Sequence, residues 1–230
     1  MISGETRLVG LLGDPVSQSL SPRMQNAAFA ARGLNWVYLP LQVAREQLED
    51  ALRGLVALGF AGANVTTPHK LAVTKLVETD EQSVNTLVVE DGRLRAYSTD
   101  AAILRGLDFD RVAILGDGGA AAAFAVALPN ALRFSRRGTW PPDVSLVDLV
   151  VNATSERDEV LAELRPGQTL IDLPYPRTAT AVAAEAAGGA VVDGLEVLLA
   201  QGAASFELWT GVQAPVEIMS AALRSHPDRT

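Results

Sequence analysis

The chain has 230 residues, of which 48% are apolar and 20% charged. That is a globular composition, which excludes a disordered or collagen-like chain and leaves room for one large or two modest domains. Asp and Glu number 27 against 19 Lys and Arg, a net charge of −8, so the chain is a poor binder of nucleic acid or anionic membranes. It has no cysteine and two histidines, His69 and His226. Disulfides, iron–sulfur clusters and thiol nucleophiles are excluded, no metal centre is expected, and a Ser–His–Asp triad has little material to draw on. The N-terminus lacks a cationic start followed by a long apolar stretch, and no 18-residue apolar run occurs, so a cytoplasmic protein that meets no membrane is expected.

Apolar run 7–13 ends in Gly-Asp-Pro and predicts a buried strand. Ser21-Pro22 then opens a helix over 23–32, with serine at the cap, proline at the first position and Gly33 past the end. A strand over 36–43 and a helix over 45–58 follow, the helix carried by Leu48, Leu52, Leu55 and Val56 at helical spacing. A strand over 63–66 is stopped by Pro68, and a short helix is expected over 71–77. Runs 86–90 and 94–98, joined by Asp91-Gly92, predict a hairpin. After the charged connector 105–110 a second series begins. Its strands are expected at 112–115, 132–135, 146–152, 169–173 and 190–192, and its helices at 120–128, 179–187, 195–208 and 216–223. Alternating strands and helices imply an α/β architecture with mostly parallel sheets. Ligands in such architectures bind at the carboxyl ends of strands.

Gly116-x-Gly118-x-x-Ala121 follows a strand and opens a helix, which is the dinucleotide fingerprint in its alanine-ended form. The glycines let the backbone approach a pyrophosphate, and the helix N-terminus supplies N–H donors. An NAD site wants an acidic residue about 20 residues on. This chain has Ser135-Arg136-Arg137 there, and guanidinium groups suit a 2′-phosphate, so NADP is expected. Ser19 and Ser21 offer two hydroxyls at the positive end of a helix, suited to a carboxylate, although capping by Ser21 alone is the plainer reading. Asn64 and Thr66 share a strand face, and Lys70 lies just beyond the strand end. Lys70 and Asp100 are a candidate proton-transfer pair for carbonyl reduction, although Asp100 alone reads as a helix cap. His69 reads as a surface or packing residue.

Taken together the chain resembles the shikimate dehydrogenase family. The residues that carry the resemblance are Ser19-Leu20-Ser21-Pro22-Arg23-Met24, Asn64-Val65-Thr66-Thr67-Pro68-His69-Lys70, Val84-Asn85-Thr86, Thr99-Asp100, Gly116-Asp117-Gly118-Gly119-Ala120, Asn152-Ala153-Thr154-Ser155, Asp172-Leu173-Pro174-Tyr175, Gly194-Leu195, Gln201-Gly202-Ala203 and Trp209-Thr210-Gly211. The resemblance implies NADPH-dependent, reversible reduction of 3-dehydroshikimate to shikimate, on the route to aromatic amino acids. It implies an N-terminal α/β substrate-binding domain over residues 1–102, a Rossmann-type NADP-binding domain over 103–211 and a cleft between them, with a C-terminal helix (212–230) packing back on the first domain. By the same resemblance, Ser19 and Ser21 hold the substrate carboxylate. Asn64, Thr66, Asn85 and Gln201 bind ring hydroxyls, and Tyr175 lines the substrate side. Lys70 and Asp100 are catalytic. Gly116, Gly118, Gly119 and Ala120 cradle the cofactor phosphates. Ser135, Arg136 and Arg137 face the 2′-phosphate, Asn152, Ala153 and Thr154 run along the cofactor, and Gly194 lies near the nicotinamide.

Three departures stand out. Gln25 replaces a usual histidine, the approach to Asn85 is short, and the stretch after Arg137 is too short for the helix of a βαβ crossover, which takes a dozen or more residues. A small-molecule substrate is expected, with the chain a monomer or homodimer. Quinate or an amino-substituted shikimate could replace shikimate, and a non-catalytic regulator that binds NADP or shikimate is the alternative of a different class.

Overall fold

The structure is a computed structural model that describes residues 2–225; the part of the C-terminal expectation that covers 226–230, with His226, lies outside the described residues. The chain divides into two compact units, one running to Thr99 and resuming at Leu199, the other spanning Asp100–Leu198.

The first unit contains β1 (Arg7–Gly13), α1 (Ser21–Ala31), β2 (Trp36–Gln42), α2 (Leu48–Ala57), β3 (Gly62–Val65), α3 (Lys70–Val73), β4 (Thr86–Glu90) and β5 (Arg93–Tyr97). Its sheet has the order β2-β1-β3-β4-β5. β2, β1 and β3 are parallel, and β4 and β5 are antiparallel additions. β1 lies between two parallel neighbours and is buried from Val9 onward, which is why it reads as an unbroken apolar run. α2 buries Leu48, Leu52 and Leu55, one stripe at helical spacing, and Gly59 ends it at φ 71°. The hairpin turn has φ 49° at Asp91 and 72° at Gly92, the paired left-handed conformation that a two-residue type I′ turn requires.

Two local expectations change. Ser21 is the first helical residue rather than the cap; Leu20 holds the cap position and no side chain caps α1. The Oγ of Ser19 instead accepts from the Ser21 N–H at 3.3 Å. The helix expected over 71–77 is one turn long and starts at Lys70, because the carbonyls of Ala72 and Val73 are taken up by turns at Lys75, Leu76 and Val77.

The second unit contains β6 (Val112–Leu115), α4 (Gly119–Ala127), β7 (Leu132–Phe134), β8 (Leu149–Asn152), β9 (Thr169–Asp172), α5 (Ala179–Ala186), β10 (Ala190–Val192) and the start of α6 (Gly194–Thr210). Its sheet is wholly parallel, in the order β10-β9-β8-β6-β7. The six-stranded dinucleotide-binding order is 3-2-1-4-5-6. Here β6, β7, β8, β9 and β10 take positions 1, 2, 4, 5 and 6, and among the described residues no strand fills position 3, beyond β7. After β7 the chain makes a tight turn, with Gly138 N–H on the Ser135 carbonyl at 3.0 Å and Ser135 N–H on the Thr139 carbonyl at 3.1 Å. The strand expected over 146–152 begins only at Leu149; Leu146 is 73% exposed and so never joins the core. Irregular chain closes this side of the sheet. Val144, Val147, Leu161, Ala162 and Leu164 bury beside Val150 and Leu170.

α6 begins in the second unit and ends in the first. In the first unit its Trp209 donates to the Leu87 carbonyl at 2.9 Å. Gly62 is needed on β3 because a Cβ there would strike both that carbonyl and the Trp209 ring. α7 (Val216–Arg224) packs on α1. Among the described residues no helix is long and apolar enough to cross a membrane.

Candidate active site

In the first unit the loops after β1 and β3 are tied together. The Asp14 N–H donates to the Thr67 carbonyl at 3.0 Å, and Gly13 leaves no room for a Cβ against the Thr66 side chain. This brings Ser19 and Ser21, at the start of α1, to the same sheet edge as Thr66 and Lys70. β4 runs antiparallel to β3, so its beginning meets the end of β3. There the Val65 N–H donates to the Asn85 carbonyl at 2.8 Å, and the Val84 N–H donates to the Lys70 carbonyl at 3.1 Å. Thr66 and Lys70 are half-buried, Ser21 is buried and Ser19 half-buried.

A buried polar network lies beneath these residues. The Asn85 amide donates to Thr99 Oγ1 at 2.9 Å and to Gln201 Oε1 at 3.0 Å, and its oxygen accepts from the Thr99 N–H at 2.7 Å. The Thr99 hydroxyl reaches the Gln201 carbonyl at 3.1 Å and the Ser205 hydroxyl at 3.1 Å. Thus Asn85 at the start of β4 and Gln201 on α6 are aligned by direct contact. Asn64 lies within the same network. It is 4% exposed. Its oxygen accepts from the Tyr38 hydroxyl at 2.8 Å, and its amide donates to the Asn85 carbonyl, Thr86 Oγ1 and Ser205 Oγ at 3.0 to 3.1 Å. These bonds tie Asn64 to Asn85, Thr86 and Ser205. Tyr38 and Ser205 carry no sequence signal of their own. Thr99 stands out only through the Thr99-Asp100 pair. His69 is 1% exposed, and its Nε2 lies 2.7 Å from the Val43 carbonyl, so it pins the loop that carries Lys70 to the end of β2.

In the second unit Asp100 is 5% exposed and opens a short 3₁₀ turn, Asp100–Leu104. The glycine loop stands at the carboxyl end of β6. Gly116 has φ 120°, and a Cβ there would lie 3.0 Å from the Ala153 carbonyl oxygen, so the loops after β6 and β8 approach in a way only glycine permits. Gly118 is extended at the cap of α4, no side chain caps that helix, and a Cβ at Gly118 would meet nothing within 4 Å. The first N–H groups of α4, from Gly119 and Ala120 onward, have no carbonyl within the helix to bond. An open cradle of N–H donors at a helix start fits a dinucleotide pyrophosphate.

Asn152 is wholly buried. Its amide donates to Asp172 Oδ1 at 2.7 Å, and its oxygen accepts from the Thr154 N–H and hydroxyl at 3.2 and 2.8 Å, so it shapes the Ala153-Thr154 loop from below. Asp172 also accepts from Thr178 at 2.9 Å. Gly194 starts α6 against the carbonyls of Leu173 and Pro174, where a Cβ would not fit. Tyr175, on the turn after β9, is half-buried. Ser135 is half-buried, while Arg136 and Arg137 are exposed at the end of β7 and bonded to Glu159 and Asp117 respectively.

Comparison with known proteins follows the same lines. The family described as "Shikimate dehydrogenase substrate binding domain" matches residues 11–87, and that described as "Shikimate 5'-dehydrogenase C-terminal domain" matches residues 194–224. A shikimate dehydrogenase (NADP(+)) from Moorella thermoacetica is 41% identical, with 97% of this chain and 94% of that protein covered. That alignment runs over 278 positions against the 230 residues of this chain, so at least 48 positions of the relative have no counterpart here. A shikimate dehydrogenase solved in complex with NADP+ superposes with a TM-score of 0.88 at 31% identity, covering 97% of this chain and 96% of that one. The Thermus thermophilus enzyme, solved with NADP(H) and shikimate, gives a TM-score of 0.82 at 29% identity, covering 95% and 98%. With the glycine cradle, the residues gathered at the edge of the first sheet and this near-complete coverage in agreement, the chain belongs to the shikimate dehydrogenase family.

Proposed function

We propose that this protein catalyses the reversible, NADP-dependent interconversion of 3-dehydroshikimate and shikimate, with NADPH driving reduction, as a step in aromatic amino acid synthesis. The observation that carries the reading is the gathering of Thr66, Lys70, Asn85 and Gln201 at one edge of the first sheet, in a chain that aligns almost end to end with shikimate dehydrogenases. The first unit takes the substrate and the second takes the cofactor. The bound nicotinamide supplies the hydride.

Ser19 and Ser21 hold the substrate carboxylate at the N-terminus of α1, where the helix dipole favours an anion. Thr66, Asn85 and Gln201 bind the ring hydroxyls. Asn85 and Gln201 already bond each other, so their amides are oriented before substrate arrives, which reduces the ordering cost on binding. Lys70 and Asp100 manage the proton. In reduction one proton is delivered to the carbonyl oxygen as the carbon receives its hydride, and in oxidation the alcohol proton leaves by the same route. Tyr175 borders the substrate. Gly116, Gly118, Gly119 and Ala120 hold the pyrophosphate, Ser135, Arg136 and Arg137 face the adenosine phosphate, and Ala153, Thr154 and Gly194 line the rest of the dinucleotide. The protein works in the cytoplasm as a monomer or homodimer, without nucleic acid or membrane partners, in keeping with its acidic charge.

Initial rates with shikimate and quinate, each with NADP+ and NAD+, test the reading. Shikimate with NADP+ should give the highest kcat/KM. Faster turnover of quinate would reassign the substrate. Binding without turnover of either would leave a regulator in place of an enzyme. Lys70→Ala should lower kcat by about 10²- to 10⁴-fold while moving KM far less, as expected when a proton-transfer group is lost.

A further inference from the structure

The carboxyl end of β7 carries its own counter-charges. Arg136 is ion-paired with Glu159, and its guanidinium lies 5.7 Å from the centre of the Trp140 ring. Arg137 approaches Asp117 of the glycine loop at 3.6 Å. Glu159 belongs to the irregular chain after β8. That chain is fastened to α5 by Thr180, whose hydroxyl accepts from the Leu161 N–H at 3.0 Å and donates to the Glu159 carbonyl at 3.2 Å. Three residues earlier, the Glu156 carboxylate accepts from the Arg157 and Asp158 N–H groups at 2.9 and 3.0 Å. The Asp158 N–H foremost, with that of Arg157 and the nearby Arg136 charge, holds Glu156 below the ordinary carboxylate range, so it stays ionised. The two guanidinium charges are therefore already balanced by Glu159 and Asp117, with Glu156 in excess.

We infer that Glu159 is a specificity-determining residue of this protein: it neutralises Arg136 and thereby weakens the preference for NADP over NAD. The inference rests on the cofactor reading above. NADP differs from NAD by a 2′-phosphate that carries nearly two negative charges at neutral pH. To engage it, Arg136 must share its guanidinium with a fixed carboxylate, and the phosphate must sit beside that like charge. The exposed pair does not block the site sterically, since an exposed ion pair is held only weakly. Its effect is on the local charge, which acts on the 2′-phosphate and not on the parts common to both cofactors. Asp117 acts differently: it lies in the glycine loop itself, so its charge opposes the pyrophosphate, which NAD and NADP share.

Calorimetric titration of the full chain with NADP+ and NAD+ tests this through binding alone. Glu159→Gln should raise the ratio of NADP+ to NAD+ affinity by about 5- to 20-fold at low salt and by less in 0.5 M salt, as for any screened charge. Arg136→Gln should lower the ratio, and adding Glu159→Gln to it should change the ratio by less than about twofold. Asp117→Asn should strengthen both cofactors together. A ratio in Glu159→Gln within about twofold of the unaltered protein, with both cofactors still binding, overturns the inference and leaves the NADP reading standing. An equal rise in the Arg136→Gln background also overturns it, because Glu159 would then not act through Arg136. If neither cofactor binds the unaltered protein, the cofactor reading fails and the inference with it.

Discussion

Asp172 is 1% exposed at the end of β9 and accepts from Asn152 at 2.7 Å and from Thr178 at 2.9 Å. Burial pushes its carboxyl up, and these hydrogen bonds oppose that only in part. The folded chain therefore keeps the Asp172 proton at pH values where the unfolded chain has released it. The stability this contributes is greatest on the acid side, and it declines as pH rises from the ordinary carboxylate value through the raised one. Asp172→Asn removes the titration. In urea unfolding from about pH 4 to 8 the stability of the unaltered protein minus that of the variant should fall as pH rises; a flat difference would remove the argument. Asn64 makes a second case. Replacing it with Ala removes four buried hydrogen bonds, to Tyr38, Asn85, Thr86 and Ser205, so a loss of about 2–4 kcal/mol is expected in chemical denaturation, with a drop in kcat/KM transmitted through Asn85. Lys70→Ala should leave stability within about 1 kcal/mol. From sequence, Asn64 and Thr66 look equivalent because they share a strand face. Depth separates them, and depth is set by Ser205 on α6, 141 positions away, which no local pattern encodes. Lys70 after the strand end and Gly116 after β6 stand out in local motifs. Tyr38 and Ser205, which meet Asn64 from 26 and 141 positions away, do not.

Among the elements, the helices and strands with a full apolar stripe or run were readable, and their ends were marked by Gly33, Gly59 and the Asp91-Gly92 turn. The shortness of the chain after Arg137 also showed that a crossover helix is missing. It did not show that strand position 3 is missing too, nor what covers the sheet instead. Gln168 supplies much of that answer. It is 6% exposed, its amide donates to the carbonyls of Val144 and Val147 at 2.8 Å each, and its oxygen accepts from the Arg165 N–H at 2.8 Å. One side chain thereby satisfies three backbone groups of chain that has no helix to satisfy them, which is what lets irregular segments lie over a hydrophobic core. A lone glutamine beside a Pro-Gly turn carries no sequence signal for this. Gln168→Ala should cost about 2–4 kcal/mol and speed hydrogen exchange at residues 144–149 and 161–166 before any change in the first unit. Uniform loss of protection across the chain would mean that these segments are not held locally.

At the scale of the molecule, two series of α/β elements were legible from order alone, but the crossings between units were placed at 102/103 and 211/212. The structure puts them at Thr99/Asp100 and within α6, after Leu198. A boundary inside a helix is invisible to a reading that seeks linkers, because α6 is 17 residues of continuous helical pattern whose ends bury against different sheets. That helix has a consequence for unfolding. Helix formation is cooperative, so loss of either end of α6 weakens the other. The chain should therefore melt in one calorimetric transition, with calorimetric and van't Hoff enthalpies equal. NADP+ at about 100 times its Kd should stabilise the whole chain by roughly 2.7 kcal/mol, and shikimate should move the same transition. Hydrogen exchange would locate each contact, with NADP+ protecting residues 116–121 and shikimate protecting 19–24 and 66–70. Two separate transitions, with NADP+ raising only one, would show that α6 does not couple the units and that each unfolds on its own.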